Sequence, residues 1–184
     1  GCALSYIYET GGNKSISIGE VEYFSTAEYM NLDYTAVRNL ELCETMRAKS
    51  KKGSLLWVLD KTKTAMGKRM LRSWVEQPLI DLFQIEERLN AVTELCEDVI
   101  LRGELMEYLS GIRDLERLLT RIVYKTANAK DLNTVAATCE KLPLIKQTLS
   151  SAKSKLLSKI YSNLDTMEDI CSLIKSAIDE NPPA

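Results

Sequence analysis

The 184-residue sequence contains no histidine, and this absence alone excludes several classes of site. Histidine general bases, histidine–cysteine dyads and histidine-ligated metal centres all need an imidazole. Most hydrolytic chemistry is therefore not expected. The five cysteines form no Cys-x-x-Cys motif and no paired spacing, which predicts reduced thiols in a cytoplasmic protein. They are Cys2, Cys43, Cys96, Cys139 and Cys171.

Long hydrophobic runs and an excess of positive charge are also missing. The longest apolar run, Leu55 to Leu59, is far shorter than the roughly 20 residues that span a bilayer, so we expect a soluble protein with no membrane partner. Lysine and arginine total 24 against 26 aspartates and glutamates, which gives a formal net charge of -2. This balance argues against a domain held to nucleic acid by overall positive charge.

One segment, Glu44 to Arg72, is locally basic, with nine lysines and arginines against two carboxylates. A surface for DNA phosphates is one interpretation, and a solvated or partner-facing surface is the other. The second is favoured because Trp57 and Trp74 lie in apolar helical stripes and do not alternate with the cations, as stacking on single strands requires. The candidate DNA contacts are Lys49, Lys51 and Lys52.

No phosphate-binding loop of the form Gly-x-x-x-x-Gly-Lys-Ser/Thr occurs in the sequence. The nearest segment, Gly67-Lys68-Arg69, lies between Met66 and Met70 in a helical stripe, where a glycine allows close helix packing. Paired carboxylates lie on polar helix faces with no glycine-rich cleft beside them. We therefore expect no catalytic, cofactor-binding or metal site in this chain.

The first 32 residues have a different pattern from the rest. The chain begins with Gly1 and enters an apolar segment at once, which suggests a piece of a longer protein. A turn cluster at 11–15 precedes residues 16–24, which alternate enough to predict a short strand or two. The segment 1–32 is therefore predicted to be the end of a mixed α/β domain.

From Asp33 onward the apolar residues recur with a helical period. Short helices are predicted at 55–59 and over Met66 to Val75, and a longer one over Leu82 to Val99, with Asp81 and Gln84 as a capping box. Further stripes cover 115–122, 132–149, 156–164 and 167–178, with Pro143 restarting or kinking the second and Asp165 with Glu168 capping the last. The fold class is mainly α: a multi-helix bundle with a short α/β remnant at the N-terminus.

Several charged or polar residues lie among apolar ones and predict joints between helix ends. Such groups are tolerated in half-buried positions when they are paired and hydrogen-bonded. We expect them to lock one helix against another. The residues with this pattern are Arg38, Asn39, Glu41, Arg113, Asp114, Glu116, Arg117 and Arg121.

Two motifs carry a resemblance to a known family. The first is Asp33-x-x-x-x-Arg38-Asn39-Leu40-Glu41-Leu42, and the second is Gly53-Ser54-Leu55-Leu56-x-x-Leu59-Asp60-x-Thr62-x-Thr64-x-Met66-Gly67-x-Arg69-x-Leu71-Arg72-x-Trp74-x-x-x-Pro78-Leu79-x-Asp81. Together with the run Asp114 to Ile122, they resemble the core domain of bacterial MutS-type DNA mismatch repair proteins. The likeness fades after about Leu142, although residues 178–183 are similar to the point where the family chain enters its DNA clamp.

The resemblance implies a domain organisation and a role. It places the end of the connector domain at 1–32 and the first half of the core and lever domain at 33–184. The implied role is structural and allosteric, coupling a C-terminal ATPase to the DNA clamp, with Arg69 and Trp74 added to the joint residues. Neither the mismatch-reading Phe-x-Glu motif nor a Walker motif is present, so no catalysis is expected here.

The partners and cofactors implied by the resemblance belong to the longer protein. They are mismatched double-stranded DNA, ATP and Mg²⁺ in the ATPase domain, a second subunit of a homodimer, and a downstream factor of the MutL type. Two alternatives stay open: the core of a recombination-type MutS relative, and a helical module that contacts DNA phosphates through Arg47 to Arg72. The helices expected to transmit the displacement are 82–99, 132–149 and 156–178.

Overall fold

The segments with helical periodicity from residue 33 onward form helices in the computed structural model, which describes residues 6, 9, 10, 28–180 and 182. The mainly α fold class is thereby confirmed. The helices are α1 Tyr34–Asn39, α2 Leu55–Leu59, α3 Ala65–Glu76, α4 Leu82–Glu97, α5 Val99–Ser110, α6 Leu115–Val123, α7 Ala129–Cys139, α8 Leu142–Leu149, α9 Lys155–Asn163 and α10 Glu168–Ala177. In this part of the chain, no helix has the length and apolar character needed to cross a membrane.

Most of these helices begin at a side chain that accepts a hydrogen bond from the first turn. Ser54 accepts from the amide of Trp57, and Thr64 accepts from the amide of Gly67 at 2.9 Å. Such caps satisfy amides that have no partner within the helix and contribute about 1 kcal/mol each. The short α2 and α3 are therefore defined locally by their sequence.

Two predicted caps were wrong in detail. Asp81 accepts from the amide of Phe83, at 3.1 Å, and forms no capping box with Gln84. Asp165 accepts from the amide of Met167, and Met167 itself precedes α10 in a left-handed conformation with φ 52°. In both places the aspartate carboxylate accepts a hydrogen bond from the amide two residues later in the chain. It therefore does not form the predicted cap with the residue three positions later.

The three long helices expected to act as levers are each shorter than predicted. The helix that starts at Leu82 ends at Glu97, because Asp98 caps a new helix through the amide of Leu101 at 2.9 Å. The segment 132–149 is divided between α7 and α8, and the expected restart at Pro143 is confirmed, since the proline lies in the first turn of α8. The segment 156–178 is divided between α9 and α10.

The hydrophobic core lies between α4, α5, α8 and α9. It consists of buried aliphatic residues from all four helices, together with one residue that follows α5. Burial of each leucine or isoleucine side chain in this set contributes about 1.5–3 kcal/mol relative to exposure. The core residues are Ala91, Leu101, Leu105, Ile112, Ile145, Leu149 and Leu157.

A second layer is built on α7, which packs against α6, α8 and α10. Its buried side is lined by Val135, Ala136, Thr138 and Cys139. Cys171 on α10 lies against this side, with its Sγ 3.7 Å from the carbonyl oxygen of Ala136. The layer thus places α6, α7 and α10 in one connected stack.

The N-terminal helices α2 and α3 pack on each other and meet the rest of the molecule at a few side chains. Beyond α3, the chain runs antiparallel to residues 28–30: the amide of Met30 donates to Pro78 and the amide of Ile80 to Glu28. The strands predicted at 16–24 lie outside the described residues, as does most of the predicted connector segment 1–32. The way α3 meets α6 positions the candidate site.

Candidate functional site

A charged junction joins α3 to the start of α6. The guanidinium of Arg69 donates two parallel hydrogen bonds to Asp114, Nη1 to Oδ2 at 2.9 Å and Nη2 to Oδ1 at 2.7 Å. Its Nη2 also lies 2.6 Å from Oε2 of Glu116, and Arg117 adds a longer contact of 3.5 Å to Asp114. A bidentate arginine–carboxylate pair fixes orientation as well as distance, so this junction sets the angle between two helices.

Local structure places both partners of this pair. Thr64 caps α3, and Asp60 stabilises the turn before it by accepting from Thr62 and pairing with Lys68 at 2.9 Å. Asp114 occupies the N-cap position of α6 but makes no capping hydrogen bond there. Its carboxylate is therefore free for Arg69, and it still lies where the helix dipole favours a negative charge.

The pairing changes the acidity of the groups involved. The hydrogen bonds from Arg69 hold the pKa of Asp114 below its usual 3.8, and the same contact raises the pKa of Arg69. Hydrogen bonds from Thr62 and Lys68 likewise lower the pKa of Asp60. Both carboxylates are therefore ionised at neutral pH.

A second ion pair connects α6 to α7. Arg121, near the end of α6, donates from Nη1 to Oδ1 of Asp131 at 2.7 Å. Asp131 is buried, and its other oxygen accepts from the amide of Asn128, whose side chain accepts from the amide of Asp131. The carboxylate of Asp131 therefore both stabilises the first turn of α7, through this reciprocal capping box, and links α7 to α6.

A third contact connects α7 to the segment after α10. The side-chain amide of Asn133 donates to the carbonyl oxygens of Asp179 and Glu180, at 2.8 and 3.2 Å. The ammonium of Lys175 on α10 pairs with Glu140, next to α7, and this contact raises the pKa of the lysine. Polar side chains therefore link α3, α6, α7 and residues 179–180 in sequence, and we call this series of contacts the relay.

The comparisons with known proteins identify the family. The sequence model described as MutS domain III matches residues 35–184. The chain belongs to the MutS domain III family. Among its relatives, the DNA mismatch repair protein MutS of Lachnoclostridium phytofermentans is 49% identical over 183 residues, which is 100% of this chain and 20% of that protein. The proteins of the same name from Clostridium novyi and Clostridium botulinum are 48% and 46% identical over 179 residues, or 97% of this chain.

The domain III chain spans about a fifth of the length of these relatives. The matched region begins close to Asp33, where helical periodicity starts in the sequence. The resemblance drawn from the two motifs is confirmed by these matches. The chain is thus a core segment of the kind found in MutS proteins.

The structure brings together five of the predicted joint residues of domain III and spaces the others apart. Four of them share one junction, Arg69, Asp114, Glu116 and Arg117, and Arg121 continues the relay through Asp131. Arg113, which precedes α6, lies outside the junction, and its backbone amide donates to Oγ1 of Thr138 at 3.4 Å. Ion pairing is therefore concentrated at the two ends of α6, where charged residues lie among leucines in the sequence.

Trp74 makes a joint of a different kind. The guanidinium carbon of Arg88 on α4 lies 3.8 Å from the centroid of the Trp74 ring. A stacked arginine of this type is attracted by the ring electrons and shields the ring from water. Trp74 thus connects α3 to α4, while Arg69 connects the same helix to α6.

The three residues Arg38, Asn39 and Glu41 lie away from the junction. Arg38 and Asn39 are exposed at the end of α1, and within residues 28–180 neither side chain has a hydrogen-bonding or ionic partner. Glu41 has a positive φ of 49°, and its carboxylate accepts from the amide of Met46 at 2.7 Å, which closes the following loop. Their role as joints stays a prediction.

The three candidate DNA contacts lie on the exposed loop between α1 and α2. Lys49, Lys51 and Lys52 are all solvent-exposed. The loop has a defined conformation, with a positive φ at Lys49 and at Gly53 and hydrogen bonds between Thr45 and Ser50. The three lysines are therefore carried by a backbone of fixed shape.

Sequence reasoning missed three residues that make long-range contacts. Asp131 could have been found, because Asn128 and Asp131 have the spacing of a capping box. Asn133 and Glu94 had no such signal: Asn133 binds residues 46 and 47 positions away, and Glu94 accepts from the amides of Lys153 and Ser154. Contacts at such separations arise from tertiary packing and leave no local pattern.

Proposed function

We propose that this domain III chain couples an ATPase to the grip on DNA in a DNA mismatch repair protein. The role is mechanical, and no catalysis is assigned to the chain. The observation that carries the proposal is the relay, which links helices far apart in sequence through directed ion pairs and hydrogen bonds. An element that transmits a displacement needs such contiguous contacts with discrete arrangements.

The relay replaces the long helical rods expected from the sequence. The longest helix within residues 28–180, α4, has 16 residues and so spans about 24 Å. A displacement would instead pass from α3 to α6 through Arg69 and Asp114, and from α6 to α7 through Arg121 and Asp131. The bidentate pair of Arg69 and Asp114 suits this task because it resists rotation as well as separation.

The wider assignment concerns the longer protein in which such a domain works. We propose mismatched double-stranded DNA as its substrate, and ATP with Mg²⁺ in a separate ATPase domain as its cofactors. We also propose a homodimer formed through that domain, a downstream repair factor of the MutL type, and a cytoplasmic location. The relatives named above support mismatch repair over the recombination-type alternative, since all three are called DNA mismatch repair proteins.

The relay contact at Asn133 gives a direct test of coupling. In a full-length MutS protein that carries this chain, Asn133→Ala should slow ATP-driven release from mismatched DNA at least about fivefold, the lower range of coupling energies. Binding to the mismatch without ATP should be unchanged. The matched control is Asn90→Ala, an exposed asparagine on α4. Equal release rates for Asn133→Ala and the parent protein would contradict the proposal.

A second candidate function is a contact with DNA phosphates through Lys49, Lys51 and Lys52. It is favoured by the exposure of all three lysines on one folded loop. Changing the three to glutamine should then weaken binding to DNA of any sequence and lower the salt dependence by nearly three phosphate contacts. An unchanged salt dependence would exclude this loop from the DNA surface.

A further inference from the structure

A cavity of about 590 Å³ lies beside the charged junction. The coupling role proposed for the relay assigns no function to this cavity. Its walls come from α2, α3, the start of α6 and the loop between α1 and α2. The charged side chains among its lining residues are five cations and two carboxylates. The cations are Lys51, Lys68, Arg69, Arg72 and Arg117, and the carboxylates are Asp60 and Asp114.

The two signs of charge are unequally exposed around this cavity. The side chains of Asp60 and Asp114 are only 13% and 18% exposed, whereas those of Lys68 and Arg117 are 67% and 84% exposed. The carboxylates therefore lie beneath the cations and orient them. A ligand that enters the cavity therefore meets exposed cationic side chains at its rim.

Several donors on this rim are not used within the described part of the chain. Arg117 makes only a 3.5 Å contact through Nε, because Arg69 already occupies both oxygens of Asp114. Among the described residues, Arg72 binds Glu76 through Nε alone, and Lys51 forms no ion pair. The terminal nitrogens of two arginines and one ammonium are thus free to bind an anion, and arginines suit planar carboxylates in particular.

Part of the lining is apolar. Trp57 and Leu56 of α2 contribute to it, and Trp57 is 50% exposed. A volume of this size falls in the range of ligand pockets, which combine apolar walls with a few placed polar groups. The cationic rim and the apolar part of the lining together match a ligand that carries an acidic side chain next to an apolar one.

We propose that this cavity is a docking site for an acidic protein segment that inserts carboxylates between Lys51, Arg72 and Arg117 and an apolar side chain against Trp57. This inference goes beyond the coupling role and does not depend on it. A nucleic-acid backbone is disfavoured because duplex phosphates lie on a convex surface, whereas this site is concave. Charge and shape complementarity together favour a peptide.

The test uses the fluorescence of Trp57 in the full 184-residue chain. The chain has two tryptophans, so Trp74→Phe leaves Trp57 as the only reporter. The probe is a capped decapeptide of alternating glutamate and leucine, which contains no tryptophan. The proposal expects a saturable fluorescence change, and an apparent affinity at least about tenfold weaker for Lys51→Glu and for Arg117→Glu.

The control variant is Lys159→Glu, which makes the same charge change at an exposed position of α9, away from the cavity. It should leave the affinity for the peptide unchanged. A ten-nucleotide single-stranded DNA serves as the second probe. Absence of saturation, equal weakening by Lys159→Glu, or tighter and equally Lys51-dependent binding of the oligonucleotide would each overturn the proposal. Because Lys51 lies on an exposed loop, its variant keeps the test valid if Arg117→Glu fails to fold.

Discussion

Arg69 and Asp114 form the contact that most defines the junction at the scale of single residues. Their two hydrogen bonds hold the pKa of Asp114 below 3.8. A carboxyl with a lowered pKa in the folded state contributes stability above its ordinary pKa and loses it as the pH falls through the lowered value. The junction is therefore expected to be intact at neutral pH and to weaken only in acid.

The first prediction concerns this pKa. Replacing Arg69 by alanine removes the main stabilising donor, so the pKa of Asp114 should rise toward 3.8, with Arg117 retaining a part of the shift. A carboxyl-carbon NMR titration measures it directly. Arg47→Ala, at an exposed arginine of the loop after α1, should leave the pKa of Asp114 unchanged. If Asp114 titrates alike in the parent and in Arg69→Ala, the pairing is not formed in solution.

The second prediction concerns Glu94, whose carboxylate on α4 holds the two residues that precede α9. Its oxygens accept from the amides of Lys153 and Ser154, at 2.6 and 2.7 Å, and hydrogen bonds from Ser154 and Lys153 hold its pKa below 4.5. Glu94→Ala should lower the free energy of unfolding by about 1 kcal/mol, as expected for the loss of hydrogen bonds between two segments. Urea unfolding measures the change.

The control for Glu94 is the exposed Glu97, at the end of the same helix. Glu97→Ala removes the same charge without breaking a hydrogen bond between segments, so its effect should stay within about 0.5 kcal/mol. Equal destabilisation by the two variants would mean that overall charge, and not these hydrogen bonds, is responsible.

At the scale of elements, periodicity identified the helices but misplaced their ends. The stripe of α4 continues through Val99 in the sequence, because apolar residues resume directly after Asp98. Only the hydrogen bond from Leu101 to Asp98 reveals that a new helix starts there. Pro143 was informative because proline acts through covalent geometry, whereas an aspartate can cap, pair or face solvent according to its tertiary surroundings.

The joint residues show the same division between local and tertiary information. Arg69 and Asp114 were predicted because they are charged residues within a recognisable motif or an apolar segment. That Asp114 binds Arg69, 45 residues away, could not be read from the sequence. The residue type was predictable and the partner was not, because the partner depends on how α3 packs on α6.

The third prediction contrasts two glycines in different elements. Gly53 has φ +98°, and a Cβ there would lie 3.2 Å from Cγ2 of Thr45. Gly53→Ala should therefore destabilise the fold by about 1 kcal/mol or more. Gly103 lies within α5, and a Cβ there meets no atom of the described residues within 4 Å. Gly103→Ala should stabilise the fold by about 0.5–1 kcal/mol.

Thermal unfolding of the two alanine variants measures this contrast. The signs are opposite because alanine suits a helix interior but not a left-handed turn. Destabilisation by Gly103→Ala would show that this part of α5 is not helical in solution. A neutral Gly53→Ala would show that the loop before α2 has a different conformation.

At the scale of the whole molecule, an apolar stripe on α4 faces outward. Leu82, Leu89 and Val92 are 67%, 58% and 55% exposed, and their spacing places them on one side of the helix. Stripes of this kind mark interaction surfaces or a tendency to associate. The fourth prediction is that the 184-residue chain self-associates as its concentration rises.

Sedimentation velocity of the chain and of Leu89→Glu tests this association. The glutamate should shift the chain toward monomer without altering its helical circular dichroism. The matched control is Asn90→Glu, which adds the same charge at the neighbouring exposed position. A compact monomer at high concentration for the parent chain would contradict the prediction.

The central claim is that the relay transmits nucleotide state to DNA grip, and a charge swap at its first contact tests it most directly. In a full-length MutS protein with this chain, Arg69→Asp, Asp114→Arg and the double variant are compared by stopped-flow measurement of ATP-driven release from a mismatched duplex. Each single variant should slow release at least about fivefold, and the double variant should recover a large part of the loss. Single variants that bind the mismatch normally and release it at the parent rate would contradict the account.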